Sequence, residues 1–248
     1  MSLERLNGLS SADLFVLFLI IVVWPIYSAV SLKRHPVEKI RHEPNLRISS
    51  YTVTILQLWG LTAAIGLVWI WLERPLSELG FRHQLDMPTM IAWGLAAAGI
   101  LFSAVQLYQV MTREKARESV KKQLADVGEH TALLMPRTQN EYRLSMLVAI
   151  TAGITEEIIF RGYLIWAFAL FVDPWIAGAL SVCLFVFLHR YQSKAGLIQV
   201  AVFGAVTTIM VLISGSLWPA IVLHILVDML NISLAWQVRN RSASSAQT

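Results

Sequence analysis

The chain has 248 residues, of which 56% are hydrophobic and 15% charged, with nine tryptophans and a single cysteine. Its mean hydropathy of +0.59 lies far outside the soluble range and identifies an integral membrane protein. The lone Cys183 excludes an intramolecular disulfide and any zinc site built from two or four thiolates, and its apolar surroundings predict a buried structural thiol. The net charge of +4 does not call for nucleic acid, because basic loops on a membrane protein follow from topology.

A helix needs about 20 apolar residues to cross roughly 30 Å of hydrocarbon. Seven segments qualify in chain order: 12–31, 51–72, 89–111, 144–171, 175–189, 195–213 and 217–236. The first carries Asp13 at its entrance and lacks a small-residue cleavage site, so it is expected to stay attached rather than act as a signal peptide. The fifth is short, with little room for tilt, and a re-entrant course is the alternative.

With spans alternating sides, sixteen Lys and Arg fall on one side and three (Arg5, Arg74, Arg82) on the other, and Arg161 lies within a span. Cytoplasmic loops carry the basic excess, which places the N-terminus outside and the C-terminus in the cytoplasm, in the plasma membrane. The one long polar segment, 112–143, begins as a charge-mixed helix expected to stop near Gly128. Three regions result: 1–143, with three spans and the polar segment; a core at 144–238; and a disordered tail at 239–248. The fold class is all-α, a polytopic bundle of about seven spans with a cavity between the last four.

The stretch ITEEIIFRGYL, 154–164, sets three charges in an apolar span. Charges at this depth cost several kcal/mol and normally face a bundle interior. Helical spacing puts Glu157 beside Arg161, four residues on, while Glu156 points about 100° away. One carboxyl is then neutralised and the other is left free for proton exchange. A purely structural ion pair, with Glu156 at a wet crevice, is the bland alternative.

Two later spans add imidazoles. Phe185 and His189 are four apart, as are His224 and Asp228, with Asn231 a turn further. Two glutamates, two imidazoles and an aspartate suit either water activation with an oxyanion site or a metal site of His and carboxylate ligands. Neither HExxH nor GxSxG is present. His35, His42, His83 and His130 read as solvated loop residues.

The set EExxxR (Glu156, Glu157, Arg161), FxxxH (Phe185, His189) and HxxxD (His224, Asp228) resembles the CPBP family of intramembrane proteases, the CAAX-processing and bacteriocin-processing endopeptidases also called Abi proteins. The context AGITEEIIFRGYL is similar to the family's first motif, and an LGFR stretch at 79–82 adds a looser likeness. The matched core covers roughly residues 140–236.

The resemblance implies that Glu156, assisted by His189, activates water, that His224 and Asp228 stabilise the oxyanion, and that Glu157 with Arg161 holds the site together. It leaves metal dependence open, with Glu156, His189, His224 and Asp228 as candidate ligands for a divalent ion such as zinc. Where CAAX proteases have Asn this chain has Asp228, as the bacterial branch does. An ionised aspartate repels an oxyanion, so it must be protonated, be replaced by a donor such as Asn231, or ligate a metal.

The implied partners are the lipid bilayer and a peptide or protein substrate, prenylated in the CAAX case. The competing readings are a non-catalytic partner or immunity protein and an ion-coupled transporter. The transporter reading calls for inverted repeats and helix-breaking Gly or Pro pairs, which the sequence lacks.

Overall fold

A computed structural model describes residues 8–34, 43–126 and 134–244. His35, His42, His130 and Gly128 lie outside these residues. All secondary structure among them is helical. Helix α1 runs as Ser11–Phe18, a π-helical stretch Leu19–Val23 and Trp24–Arg34. It is followed by α2 (Pro44–Trp71), α3 (Met87–Thr112) and the polar α4 (Glu114–Asp126). Helix α5 is continuous through Gln139–Glu156, a π-helical stretch Glu157–Leu164 and Ile165–Ala169. The last three are α6 (Pro174–Leu188), α7 (Lys194–Ser214) and α8 (Trp218–Ser244).

Five of these helices (α1, α2, α3, α7 and α8) are long and apolar enough to cross a membrane by length and composition alone. The other two expected spans are also helices. Charges and the π stretch interrupt α5, and the 15 residues of α6 reach only about 22 Å, short of a full bilayer core. The protein is thus a polytopic helical bundle.

Only 17% of the most apolar stretch of α1, α2 and α3 is buried, against 33% in α7 and 28% in α8. The first three helices therefore present most of their surface to lipid, through side chains such as Leu56, Leu67, Ile70 and Phe102, and the last two sit deeper. Cys183 departs from expectation: it is exposed, because it falls on the outward face of α6 rather than among the core residues Ser181 and Phe185. The tail expectation also needs adjustment, since α8 continues to Ser244 through residues assigned to a disordered end.

Two close approaches fix the bundle around α5. A Cβ on Gly153 would stand 2.7 Å from the backbone nitrogen of Ile225, so the missing side chain lets α8 lie against α5 one residue from His224. A Cβ on Gly162 would stand 2.8 Å from the carbonyl oxygen of Leu79. That contact docks the LGFR turn, whose Gly80 adopts φ 96°, a left-handed conformation suited to glycine. The same turn accepts a hydrogen bond from Leu217 N to Gly80 O at 2.8 Å, tying it to the start of α8.

The end of the bundle that lies away from the basic loops is closed by one polar cluster. Asp13 caps α1 together with Ser10, and takes both Nη atoms of Arg74 at 2.8 Å. Tyr163 of α5 donates to the Asp13 carbonyl at 3.1 Å, and the Arg74 guanidinium lies over the Trp166 ring, 4.4 Å from its centre. The hydrogen bonds to Asp13 hold the Arg74 guanidinium above its ordinary pKa. At the other end, Arg47 of α2 is buried against Glu141 of α5 at 3.1 Å, although the sequence reading places Arg47 in a loop.

Candidate active site

The site begins with the π-helical stretch of α5. Widening the helix over 157–164 loosens the regular i to i−4 ladder, and the freed carbonyl of Phe160 is taken by the Ser181 hydroxyl of α6 at 2.6 Å. The stretch is buried along its whole length and carries both Glu157 and Arg161.

Glu157 and Arg161 meet as the spacing predicts, Oε1 to Nη1 at 3.2 Å, and both side chains are 0% exposed. Arg161 also donates to the Gly204 carbonyl of α7 at 3.3 Å and lies 4.4 Å above the Phe185 ring. Gly204 makes room for it, since a Cβ there would stand 3.2 Å from Nη2. The same Glu157 Oε1 takes His224 Nδ1 at 2.7 Å, a contact that spacing within one helix could not reveal. Glu157 therefore bridges a guanidinium of its own helix and an imidazole of α8.

That bond orients His224. With Nδ1 turned to Glu157, Nε2 faces Glu156 Oε2 at 3.9 Å and Asp228 Oδ2 at 3.6 Å, and Phe203 packs edge-on against the ring. Glu156 keeps 13% of its side-chain exposure and Asp228 38%, against 0% for Glu157, so water reaches the first two and not the third. Asn231 is exposed and makes no side-chain hydrogen bond among the described residues.

His189 ends α6. Its Nδ1 lies 2.8 Å from the Phe185 carbonyl, which can only accept, so Nδ1 carries the hydrogen and Nε2 is left as an acceptor. Phe185 thus serves the FxxxH pair twice, through its carbonyl under His189 and its ring under Arg161.

Glu156 and His189 line one cavity of about 290 Å³. The sequence reading sets the cavity between the last four helices, and the structure corrects this: its lining comes mainly from α1, α2, α5 and the end of α6 with the turn after it, with no residue of α7 or α8, because the polar faces of α1 and α2 close on Glu156. Trp24, Tyr27, Ser28 and Ser31 face it at steps of three and four, as do Ser50, Thr54 and Gln57. That periodicity of polar side chains in two apolar spans is the signal that could have found this wall. The cavity also reaches Leu134 and Tyr191, so it lies at the end of the bundle that carries the basic loops.

A metal ion needs ligand atoms about 2.0–2.2 Å from one point. Nδ1 of each imidazole is engaged, which leaves Nε2 as the ligand atom of each, but no group of three or more His, Cys, Asp or Glu among the described residues is placed to converge on one ion. The candidate ligands do not fit a metal site.

A water-accessible carboxyl and an imidazole on the wall of a cavity inside an apolar helix bundle is the arrangement of a membrane-embedded hydrolase. Residues 138–230, which span every motif residue, match the family model described as type II CAAX prenyl endopeptidase Rce1-like. That segment, less than half of the chain, is similar to the CAAX prenyl endopeptidases that the description names. Compared with curated proteins and with solved structures, the chain has no match.

Proposed function

We propose that the protein is a glutamate-dependent intramembrane endopeptidase in which Glu156 is the general base. The observation that supports this most is the division of labour between adjacent glutamates: Glu157 is sealed between Arg161 and His224, while Glu156 keeps access to the cavity that His189 also lines. A substrate carbonyl entering the cavity meets a water held by Glu156 and by Nε2 of His189. Glu156 takes a proton as the water oxygen bonds to the carbonyl carbon. His224, carrying hydrogens on both nitrogens, keeps Nδ1–H on Glu157 and turns Nε2–H toward the oxyanion. Glu156 then returns its proton to the leaving nitrogen as the carbon–nitrogen bond breaks. Asp228 contributes to the oxyanion site only as the protonated acid, because an ionised carboxylate has nothing to donate.

The cavity sits at the end of the bundle nearest the basic loops, which supports an opening toward the cytoplasm of a plasma-membrane protein with its N-terminus outside. A prenylated C-terminal peptide, anchored by its lipid in the cytoplasmic leaflet, would present its cleavage site at that depth. The test is cleavage by the purified protein in nanodiscs of a farnesylated CAAX peptide, the same peptide without the lipid, and a leader-peptide library. Faster cleavage of the farnesylated peptide supports the reading. Equal or faster cleavage of the unlipidated substrates contradicts the prenyl preference, and no cleavage of any beyond a Glu156→Ala blank contradicts the enzyme itself.

A further inference from the structure

Asp228 leaves the oxyanion site one donor short whenever it is ionised. The His224 Nε2–H supplies one hydrogen bond, and preorganised oxyanion sites draw on more than one. Asn231, the nearest amide on α8, is exposed and makes no hydrogen bond into the site. The second donor must therefore come from another part of the cavity wall.

The wall offers hydroxyls on α1 and α2, the Tyr27 phenol among them, and the phenol of Tyr191 in the turn after α6. Ser50 is already committed to the carbonyl of Leu46 at 2.7 Å. Tyr191 differs from the other lining groups in two ways. It stands two residues beyond His189, in a turn closed by Gln192 N donating to His189 O at 2.9 Å, and its ring lies 5.9 Å from the His189 ring. Burial pushes its hydroxyl up to about 12, the Glu156 and Asp228 carboxyls add to that push, and the cavity sets it on the same wall as Glu156.

We infer that Tyr191 is a further catalytic residue, whose hydroxyl donates to the substrate oxyanion opposite His224 and takes the part that an amide at position 228 would otherwise play. This rests on the reading of Glu156 as the base. Tyr191 moves no proton in the reaction. Its O–H bond persists throughout, and its hydrogen bond shortens as the carbonyl oxygen gains charge. A phenol on the cavity wall that holds Glu156, beside the His189 ring, keeps its hydrogen at any pH at which Glu156 works.

The test is a cycle of Tyr191→Phe and Asp228→Asn, measured by steady-state cleavage of one peptide substrate, with Glu156→Gln as reference and the thermal midpoint recorded for each protein. The phenyl ring preserves shape and removes only the hydroxyl. Tyr191→Phe is expected to lower kcat by about 10²–10³-fold, the loss typical of one oxyanion donor, with KM within about twofold. Adding Asp228→Asn to Tyr191→Phe is expected to restore at least about tenfold in kcat, because the new amide supplies the missing donor.

The inference is overturned by a Tyr191→Phe enzyme with wild-type kcat, or by a loss that Asp228→Asn leaves unrelieved in a protein with an unchanged thermal midpoint. An inactive Glu156→Gln beside a fully active Tyr191→Phe sinks the tyrosine alone. An active Glu156→Gln sinks the base assignment whatever Tyr191 does. Should the Phe variant unfold, Tyr191→Trp tested in the same cycle carries the same expectation, since its misplaced donor cannot reach the oxyanion.

Discussion

Two carboxylate–arginine pairs stand against the C-terminal half of α5, one at Glu157 and Arg161 and one, of Asp13 and Arg74, against Tyr163 and Trp166, and they differ in how fully their hydrogen bonds are met. Asp13 takes both Nη atoms of Arg74, the backbone and side chain of Ser10, and the Tyr163 hydroxyl, with Arg74 further covered by two tryptophans. Glu157 uses one oxygen for both Arg161 and His224. Its other oxygen and Nε of Arg161 are buried without a hydrogen-bond partner among the described residues, and Nη1 meets Glu157 as an ion contact without hydrogen-bond geometry. A saturated network rigidifies a fold, whereas a short one holds charge at a defined place with capacity to spare. The first pair clamps α1 and α2 to α5, and the second keeps an imidazole aimed at Glu156 on the cavity wall.

Breaking each pair separates these roles. Arg161→Met leaves Glu157 buried with His224 as its one remaining partner, with an expected loss of about 3–5 kcal/mol in unfolding free energy and no measurable cleavage, checked by denaturant melts in detergent alongside the peptide assay. Asp13→Asn removes charge-assisted bonds at the closed end, for about 2–3 kcal/mol. Its folded fraction is expected to keep kcat within about twofold of wild type, since nothing at that end touches the cavity.

Gly153→Ala sharpens the comparison from a third direction. Its methyl would fall 2.5 Å from Ile225 Cγ1 and 2.7 Å from a backbone nitrogen, so α8 must shift and carry His224 with it. The expected cost is about 1–3 kcal/mol, with kcat falling more than KM rises. Chelation gives the smallest effect. Prolonged dialysis against EDTA is expected to leave kcat unchanged, and a loss restored by zinc would contradict the absence of a converging ligand set.

Much of the site was legible because its residues lie four apart on single helices. The Glu157–Arg161 contact and the seclusion of Glu157 relative to Glu156 follow from the 3.6-residue period, which the π-helical stretch perturbs without parting the two residues. Contacts between helices were not legible. Glu157 on His224, Arg161 over Phe185 and the Asp13–Arg74–Tyr163 clamp each join residues far apart in sequence, and only packing decides them. Cys183 shows the limit of reading burial from apolarity: in a membrane bundle the lipid-facing side is as apolar as the core. The polar wall of α1 and α2 was present in the sequence as Ser28, Ser31, Ser50, Thr54 and Gln57, but hydroxyls are common enough in spans that their alignment gains meaning only beside Glu156.

The most direct test of the account sets the two adjacent glutamates against each other in one assay. Glu156→Gln is isosteric and leaves the Glu157 bridge intact. It is predicted to fold with a wild-type thermal midpoint and to cleave about 10²–10⁴-fold more slowly, the loss typical of a general base, with substrate binding preserved. A Glu156→Gln protein that cleaves at the wild-type rate would contradict it.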